Sequence, residues 1–346
     1  MELKKFLDTT KISFISIMLL FPSVSNTHAF TSKKSIDKLK HHKSSENKIE
    51  IKEKYNKELY MTLLRKYNKF DNLNYLIYKA ISEKFHENYD HTFINKVASI
   101  LTSISFHESN LNENLININR IKLRKTSNKN FVSYLKGLKI GIEHGQTYIS
   151  KFLIKYSVHF NNGKVLHKRI VLDFTSTHSK KQSLKKIDSL IHYFSKISSG
   201  TKIFVKTNYP IAFNFDNKQY AKSFLSKLIK FTKNIDIGMF QINYLYNKRY
   251  LNKYHYTVYD LLYKQKAFDV AFDIFHKHLE ATDYNIKKAV GYYHHRNHKI
   301  NSKYVKRVLA IKDLYNYIKT TVLAYKKIDR THQNTALINN NEISLL

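Results

Sequence analysis

Two runs rich in β-branched and aromatic residues, Tyr148 to Phe160 and Lys164 to Ser176, flank Asn161-Asn162-Gly163, and this hairpin signature lies between stretches whose apolar residues recur at helical spacing. A chain built in this order cannot fold as a plain helical bundle, because the strand block has to pair with itself and bury its own face. On the N-terminal side, Tyr55 to Lys84 has helical apolar spacing. From Phe93 to Glu108 the pattern is clearer. Ile94, Val97, Leu101 and Ile104 form one stripe at steps of three and four, and Glu108 lies on it. After the hairpin, Leu184, Ile187, Leu190, Ile191 and Phe194 fit a helix over 183–197 that ends at Gly200. Thr201 to Thr207 and Ile211 to Phe215 then read as strands, and Gln219 to Phe231 as a helix. The chain then turns helical again: Ala267, Phe268, Ala271, Ile274 and Phe275 share a face, as do Ile286, Ala289, Val290 and Tyr293. The expected class is therefore α+β, mainly helical with a small α/β insert and without internal repeats.

The ends of the chain differ from its middle. Lys4, Lys5 and Lys11 precede the apolar run Ile12 to Phe21, followed by Pro22-Ser23 and Thr27-His28-Ala29, the layout of a cleavable secretory signal over 1–29. That run is too short to span a bilayer as a helix, so the expected location is the periplasm or the exterior, with no stable membrane span after cleavage. Residues 30–58 read as a basic flexible segment and 327–346 as a flexible polar tail. The chain has no cysteine, so neither a disulfide nor a lipid-modified N-terminal cysteine is available. A formal net charge of +34 suits a polyanionic partner. The heavy use of Lys, Asn, Ile and Tyr with no Trp and few Gly is also what an AT-rich genome produces, so charge alone does not choose between the two.

Three short segments carry the chemistry. The first is Ser105-Phe106-His107-Glu108-Ser109-Asn110-Leu111, a Glu-Ser pair closing an apolar helix. The second is Asp236-Ile237-Gly238-Met239-Phe240-Gln241-Ile242-Asn243. The third is Ala289-Val290-Gly291-Tyr292-Tyr293-His294, followed by Lys303-Tyr304-Val305-Lys306-Arg307-Val308. In this order they resemble the Glu-Ser, Gly-Leu-Met-Gln-Ile-Asn and Ala-x-x-Tyr-Asn motifs of lytic transglycosylases, the goose-type lysozyme-like superfamily. The third segment is most similar to the specialised members that serve conjugation and type IV secretion. The likeness covers roughly 92–119 and 208–312.

The resemblance implies a lysozyme-like catalytic domain in two parts, 59–119 and 208–326, interrupted by the insert at 120–207. It also implies an exported lytic transglycosylase that cleaves the MurNAc-GlcNAc β-1,4 bond of peptidoglycan and leaves 1,6-anhydro-MurNAc ends, making local wall gaps for a secretion or conjugation apparatus. Glu108 is then the general acid and afterwards the base. The residues agree, since a carboxyl on the apolar side of a helix loses hydration, which favours the protonated form an acid catalyst needs. Ser109, Gly238, Gln241, Asn243 and Tyr293 are implied as substrate-binding or supporting residues. Gln241 lines the cleft, Gly238 permits close approach, and Tyr293 orients the carboxylate or contacts the saccharide. Peptidoglycan strands are the expected partner, with secretion or conjugation proteins beside them. Nucleic acid, a cofactor and a metal are not expected.

Hydrolytic glycosidases usually need a second carboxylate. In this family the substrate's N-acetyl group and 6-hydroxyl do that work. Asp236 is the nearest second carboxylate by motif position, but it reads first as the cap of a short helix beginning near Gly238. His294, His295 and His298 could be read as metal ligands, although without an intervening Glu or any thiolate they fit a solvated basic face better. Departures from the family pattern are Gly-Met-Phe-Gln for Gly-Leu-Met-Gln, His294 in place of Asn, and a separation of 133 positions between Glu108 and Gln241. A wall-binding protein of the same fold with an impaired site and a hydrolytic muramidase are the alternatives. A basic nucleic-acid-binding protein fits poorly with export and with the absence of a recognisable binding module.

Overall fold

The computed structural model describes residues 57–85, 87, 89–197, 201–294 and 302–343, with side chains through Ala324. The signal peptide, the basic segment apart from its last two residues, Gly200, His295 and His298 lie outside the described residues. The fold is α+β, with ten α-helices and two antiparallel sheets among the described residues. Its described residues divide into two compact units, one within 108–273 and the other within 57–107 and 274–343.

The second of these units holds helices and no strand among its described residues. Helices α1 (Lys57–Arg65), α2 (Tyr67–Phe85) and the greater part of α3 (His91–Ser109) come from its N-terminal portion. Its C-terminal portion supplies the end of α8 (Lys264–Glu280), α9 (Ile286–His294) and α10 (Ser302–Ile343). The stripe of α3 is core: Ile94, Leu101 and Ile104 are fully buried and Val97 nearly so. Each such side chain contributes about 1.5–3 kcal/mol relative to exposure. Tyr315 of α10 meets Phe70 of α2 in a tilted ring contact at 4.4 Å and donates a hydrogen bond to Asp71. Helix α10 runs through 327–343, where the polar composition reads as a loose tail. No Gly or Pro occurs from Ser302 to Ile343 to interrupt the helical backbone.

The other unit holds both sheets. One has strand order β3-β7-β1-β8-β9, from β1 (Leu115–Ile118), β3 (Gly145–Gln146), β7 (Ile211–Phe215), β8 (Ile235–Ile237) and β9 (Ile242–Asn243). The other has order β2-β6-β4-β5, from β2 (Arg124–Thr126), β4 (Lys151–His159), β5 (Val165–Asp173) and β6 (Lys202–Thr207). The hairpin turns where the sequence places it. Gly163 takes φ 79°, and Phe160 N–H donates to Lys164 O at 2.9 Å across the loop.

Helices α4 (Asn128–His144), α5 (Thr177–Lys196) and α6 (Lys218–Leu228) accompany these sheets. Ser127, Ser176 and Asn217 cap their first turns, each accepting a backbone N–H. Helix α5 begins at Thr177, six residues before the apolar pattern starts, because its first turn is held by this cap and not by burial. Strand β4 alternates buried Phe152, Ile154, Tyr156 and Val158 with more open residues, so one face of its sheet meets the core. There Phe131, Phe194 and Tyr156 form edge-to-face and tilted ring contacts, while Tyr134 stacks on Phe231 at 4.3 Å.

Candidate functional site

The site is built on the five-stranded sheet and the end of α3. The helix stops immediately after Glu108-Ser109, where Asn110 and Leu111 both take left-handed backbone conformations, φ 55° and 62°. A bulky residue such as Leu111 adopts this region only when its surroundings impose it. Its side chain is fully buried, which supplies that constraint. Ser109 then fastens the helix end: its Oγ donates to Met239 O at 2.7 Å and accepts from Asn112 N at 3.0 Å. This bond joins positions 130 apart in sequence and closes the long separation between the first and second motifs.

Met239 lies in a tight turn, residues 238–241, between β8 and β9. Gly238 has φ 75°, and a Cβ there would sit 2.1 Å from Leu261 O, so no other residue fits without moving backbone. Met239 and Phe240 both point into the core, at 1% and 0% exposure. Gln241 is also left-handed, at φ 47°. Its amide nitrogen donates to Leu115 O at 3.1 Å and to Gly238 O at 2.8 Å, and Gly238 N–H donates to the same Leu115 carbonyl at 2.8 Å. These bonds fix the Gln241 side chain by its nitrogen, and it stays partly open to solvent.

Asp236 is the largest correction to the sequence reading. It does not cap a helix near Gly238, because no helix starts there. It lies in β8, opposite Asn117 of β1 on one side and Asn243 of β9 on the other. Asn243 Nδ2 donates to its Oδ1 at 2.6 Å, and Asn119 and Asn117 donate to its Oδ2 at 2.9 and 3.2 Å. Asn243 and Asn119 also reach Asn234 Oδ1, at 2.9 and 3.3 Å. The first α-helix after the turn is α7 (Tyr244–Lys253), and its cap is Asn243, whose Oδ1 accepts from Tyr246 N at 3.3 Å.

The sequence signal for this network lay in the spacing. Asn117 and Asn119, like Asn234 and Asp236, are two apart, which on a strand puts them on one face. Some of the Asp236 surface remains open, yet enough protein surrounds the carboxyl to strip most of its hydration. That burial pushes its pKa up to about 6. The hydrogen bonds from Asn243, Asn119 and Asn117 pull it down, and the charge of Glu108 pushes it further up. Two carboxyl groups therefore act on one another across this site.

The structure thus gathers Glu108, Ser109, Gly238, Gln241 and Asn243 in one unit and adds Asp236, Asn117 and Asn119 to them. Tyr293 belongs to the other unit. There it is half-buried on α9, meeting Phe275 edge-to-face at 6.4 Å. His294 stacks on Tyr304 at 4.4 Å, which gives it an aromatic partner. Among the described residues, no group of three His, Asp, Glu or Cys side chains is arranged to hold a metal ion, and no helix is long and apolar enough to cross a membrane. Compared with protein-family models, curated proteins and solved structures, the chain matches none.

Proposed function

We propose that the protein is an exported peptidoglycan lytic transglycosylase with Glu108 as its acid and base. The observation that carries this reading is the bond from Ser109 to Met239, which ties the Glu-Ser helix end directly to the Gly-Met-Phe-Gln turn. The bond brings two motifs 130 positions apart in sequence to one place, as a shared site requires. The left-handed backbone at Asn110, Leu111 and Gln241 adds to it, since such strain collects where geometry is held for function. Antiparallel β1, β8 and β9 beside this turn suit a lysozyme-like domain, with 120–207 as its insert.

In this mechanism Glu108 protonates the glycosidic oxygen, and the leaving sugar departs as an alcohol. The N-acetyl oxygen of the remaining sugar bonds to its anomeric carbon as the glycosidic bond breaks. Glu108, now a carboxylate, removes the proton of the 6-hydroxyl, whose oxygen displaces the acetyl oxygen and closes the 1,6-anhydro ring. Gln241, held by its nitrogen, can offer its carbonyl oxygen to a sugar hydroxyl or amide. Tyr293 enters as a saccharide contact through the motif resemblance. The resemblance of the third segment assigns the enzyme to making wall gaps for a secretion or conjugation apparatus.

Asp236 favours one second reading, a hydrolytic muramidase in which it activates water. Its hydrogen bonds weigh against this. Three of the roughly four acceptor positions of a carboxylate are taken by Asn amides, which suits a residue that positions the sheet better than one that binds water. The test is digestion of purified peptidoglycan with wild type and Glu108→Gln. Release of 1,6-anhydro muropeptides by wild type alone is expected. Reducing-end products select the hydrolase, and no release by wild type leaves a wall-binding protein with an impaired site.

A further inference from the structure

The four-stranded sheet of the unit that holds Glu108 has one face covered by the aromatic core and another whose side chains are largely open. Register places Lys206, Lys155 and Arg169 directly opposite one another on β6, β4 and β5. The next aligned row on that face, Phe204, Ser157 and His167, continues onto Lys125 of β2. Neighbouring strands are about 4.8 Å apart, so three cations stand side by side over roughly 10 Å. Like charges directly opposite one another destabilise a sheet. Lys155, Lys168, Arg169 and Lys206 form no ion pair with a described carboxylate, although nearby Lys151 pairs with Asp173. On this face Lys155, Arg169 and Lys206, with Leu123, Ser157, His167 and Phe204, line an open groove of about 520 Å³ that has no acidic wall.

The apolar residues on this face narrow the ligand. Leu123, Val165 and Val171 are exposed, at 69%, 42% and 40%, and Phe204 already leans on His159 at 4.7 Å. A platform for single-stranded nucleic acid needs successive aromatic planes on which bases stack. Exposed aliphatic side chains between cations fit a peptide that carries both methyl groups and free carboxylates.

We propose that this groove is a docking surface for the carboxylate-bearing stem peptides of peptidoglycan, holding the wall by its peptides while the Glu108 site acts on its sugars. The proposal rests on the wall-cleaving reading for its choice of partner and is tested apart from it. The probe is purified insoluble peptidoglycan, co-sedimented with the full chain in a Glu108→Gln background so that nothing is cut. The comparison is with the same chain carrying Lys155→Glu, Arg169→Glu and Lys206→Glu, and with a Lys155→Gln, Arg169→Gln, Lys206→Gln version. Loss of three exposed ionic contacts should weaken retention on the order of tenfold for Gln and more for Glu. Added salt should weaken the parent's retention more steeply than that of the variants, which keep most of the chain's net positive charge.

Far-UV circular dichroism and thermal melting check folding, which removal of the opposed like charges in the Gln version should not impair. Equal retention of parent and variants overturns the proposal, as does tighter surface-dependent binding to a single-stranded oligonucleotide. Muropeptide release by the Glu108-intact chain is scored separately. Release without surface-dependent retention refutes the docking surface alone, and surface-dependent retention without release refutes the catalytic reading alone.

Discussion

Asp236→Asn offers a measurement in which the buried carboxyl reports on itself. In the folded protein Asp236 titrates near 6, against 3.8 for an unperturbed aspartate, and burial is the main cause. A raised carboxyl pKa means that the folded state holds its proton more tightly than the unfolded chain. Its contribution to stability is therefore full below pH about 4 and is lost as the pH rises through 6. The shift of about two units, at about 1.4 kcal/mol each, makes that contribution about 3 kcal/mol.

Asn cannot titrate. It also turns an NH₂ towards at least one of the three donor amides, which costs about 1–3 kcal/mol at every pH. That fixed cost cancels when the pH dependence is compared. Urea denaturation of wild type and Asp236→Asn between pH 4 and pH 7.5 should therefore show the variant gaining about 3 kcal/mol on wild type as the pH rises. In a Glu108→Gln background the gain should shrink, because the charge that helps to raise the Asp236 pKa is gone. Parallel pH profiles for wild type and variant would refute the argument that Asp236 sits in a dehydrated site beside a second carboxyl.

Two other substitutions test the packing around this site. Gly238→Ala combines a left-handed backbone with a Cβ that overlaps Leu261 O, and should destabilise the protein by about 2–5 kcal/mol in urea denaturation; a loss under about 1 kcal/mol would contradict the close approach. Tyr134→Phe removes a fully buried hydroxyl that has no hydrogen-bond partner among the described residues, so the variant should melt at or above the wild-type temperature, gaining up to about 1 kcal/mol; a clear loss of stability would reveal a partner for that hydroxyl.

The readable parts of the sequence were those where one local force dominates. The stripe of α3, the hairpin at Gly163 and strands β4 to β7 follow from apolar periodicity or turn chemistry within a few residues. Helix α4 was not legible, since its apolar positions are interrupted by Gly137 and Gly141 and its start depends on a single Ser127 cap. Strand β1 is four residues in an Asn-rich stretch, and it becomes a strand by pairing with β7 and β8, both far away in sequence. For the same reason Asp236 read as a cap. A short polar residue before a glycine looks like the start of a helix until β1 and β9 place three amides against it.

The Leu115 carbonyl accepts from both Gly238 N–H and Gln241 Nε2, so a single peptide group seals the base of an excursion that leaves at Ile118 and returns at Ile235. Closing a loop costs entropy only as the logarithm of its length, about 0.6 kcal/mol for each doubling. The span between Ile118 and Ile235 holds β7, which pairs with β1, and the whole four-stranded sheet, so changes of length are cheap only in its exposed turns, such as 161–164. On this account the exposed turns between Ile118 and Ile235 are places where the gene can tolerate growth, while Gly238 has no room for even one methyl group.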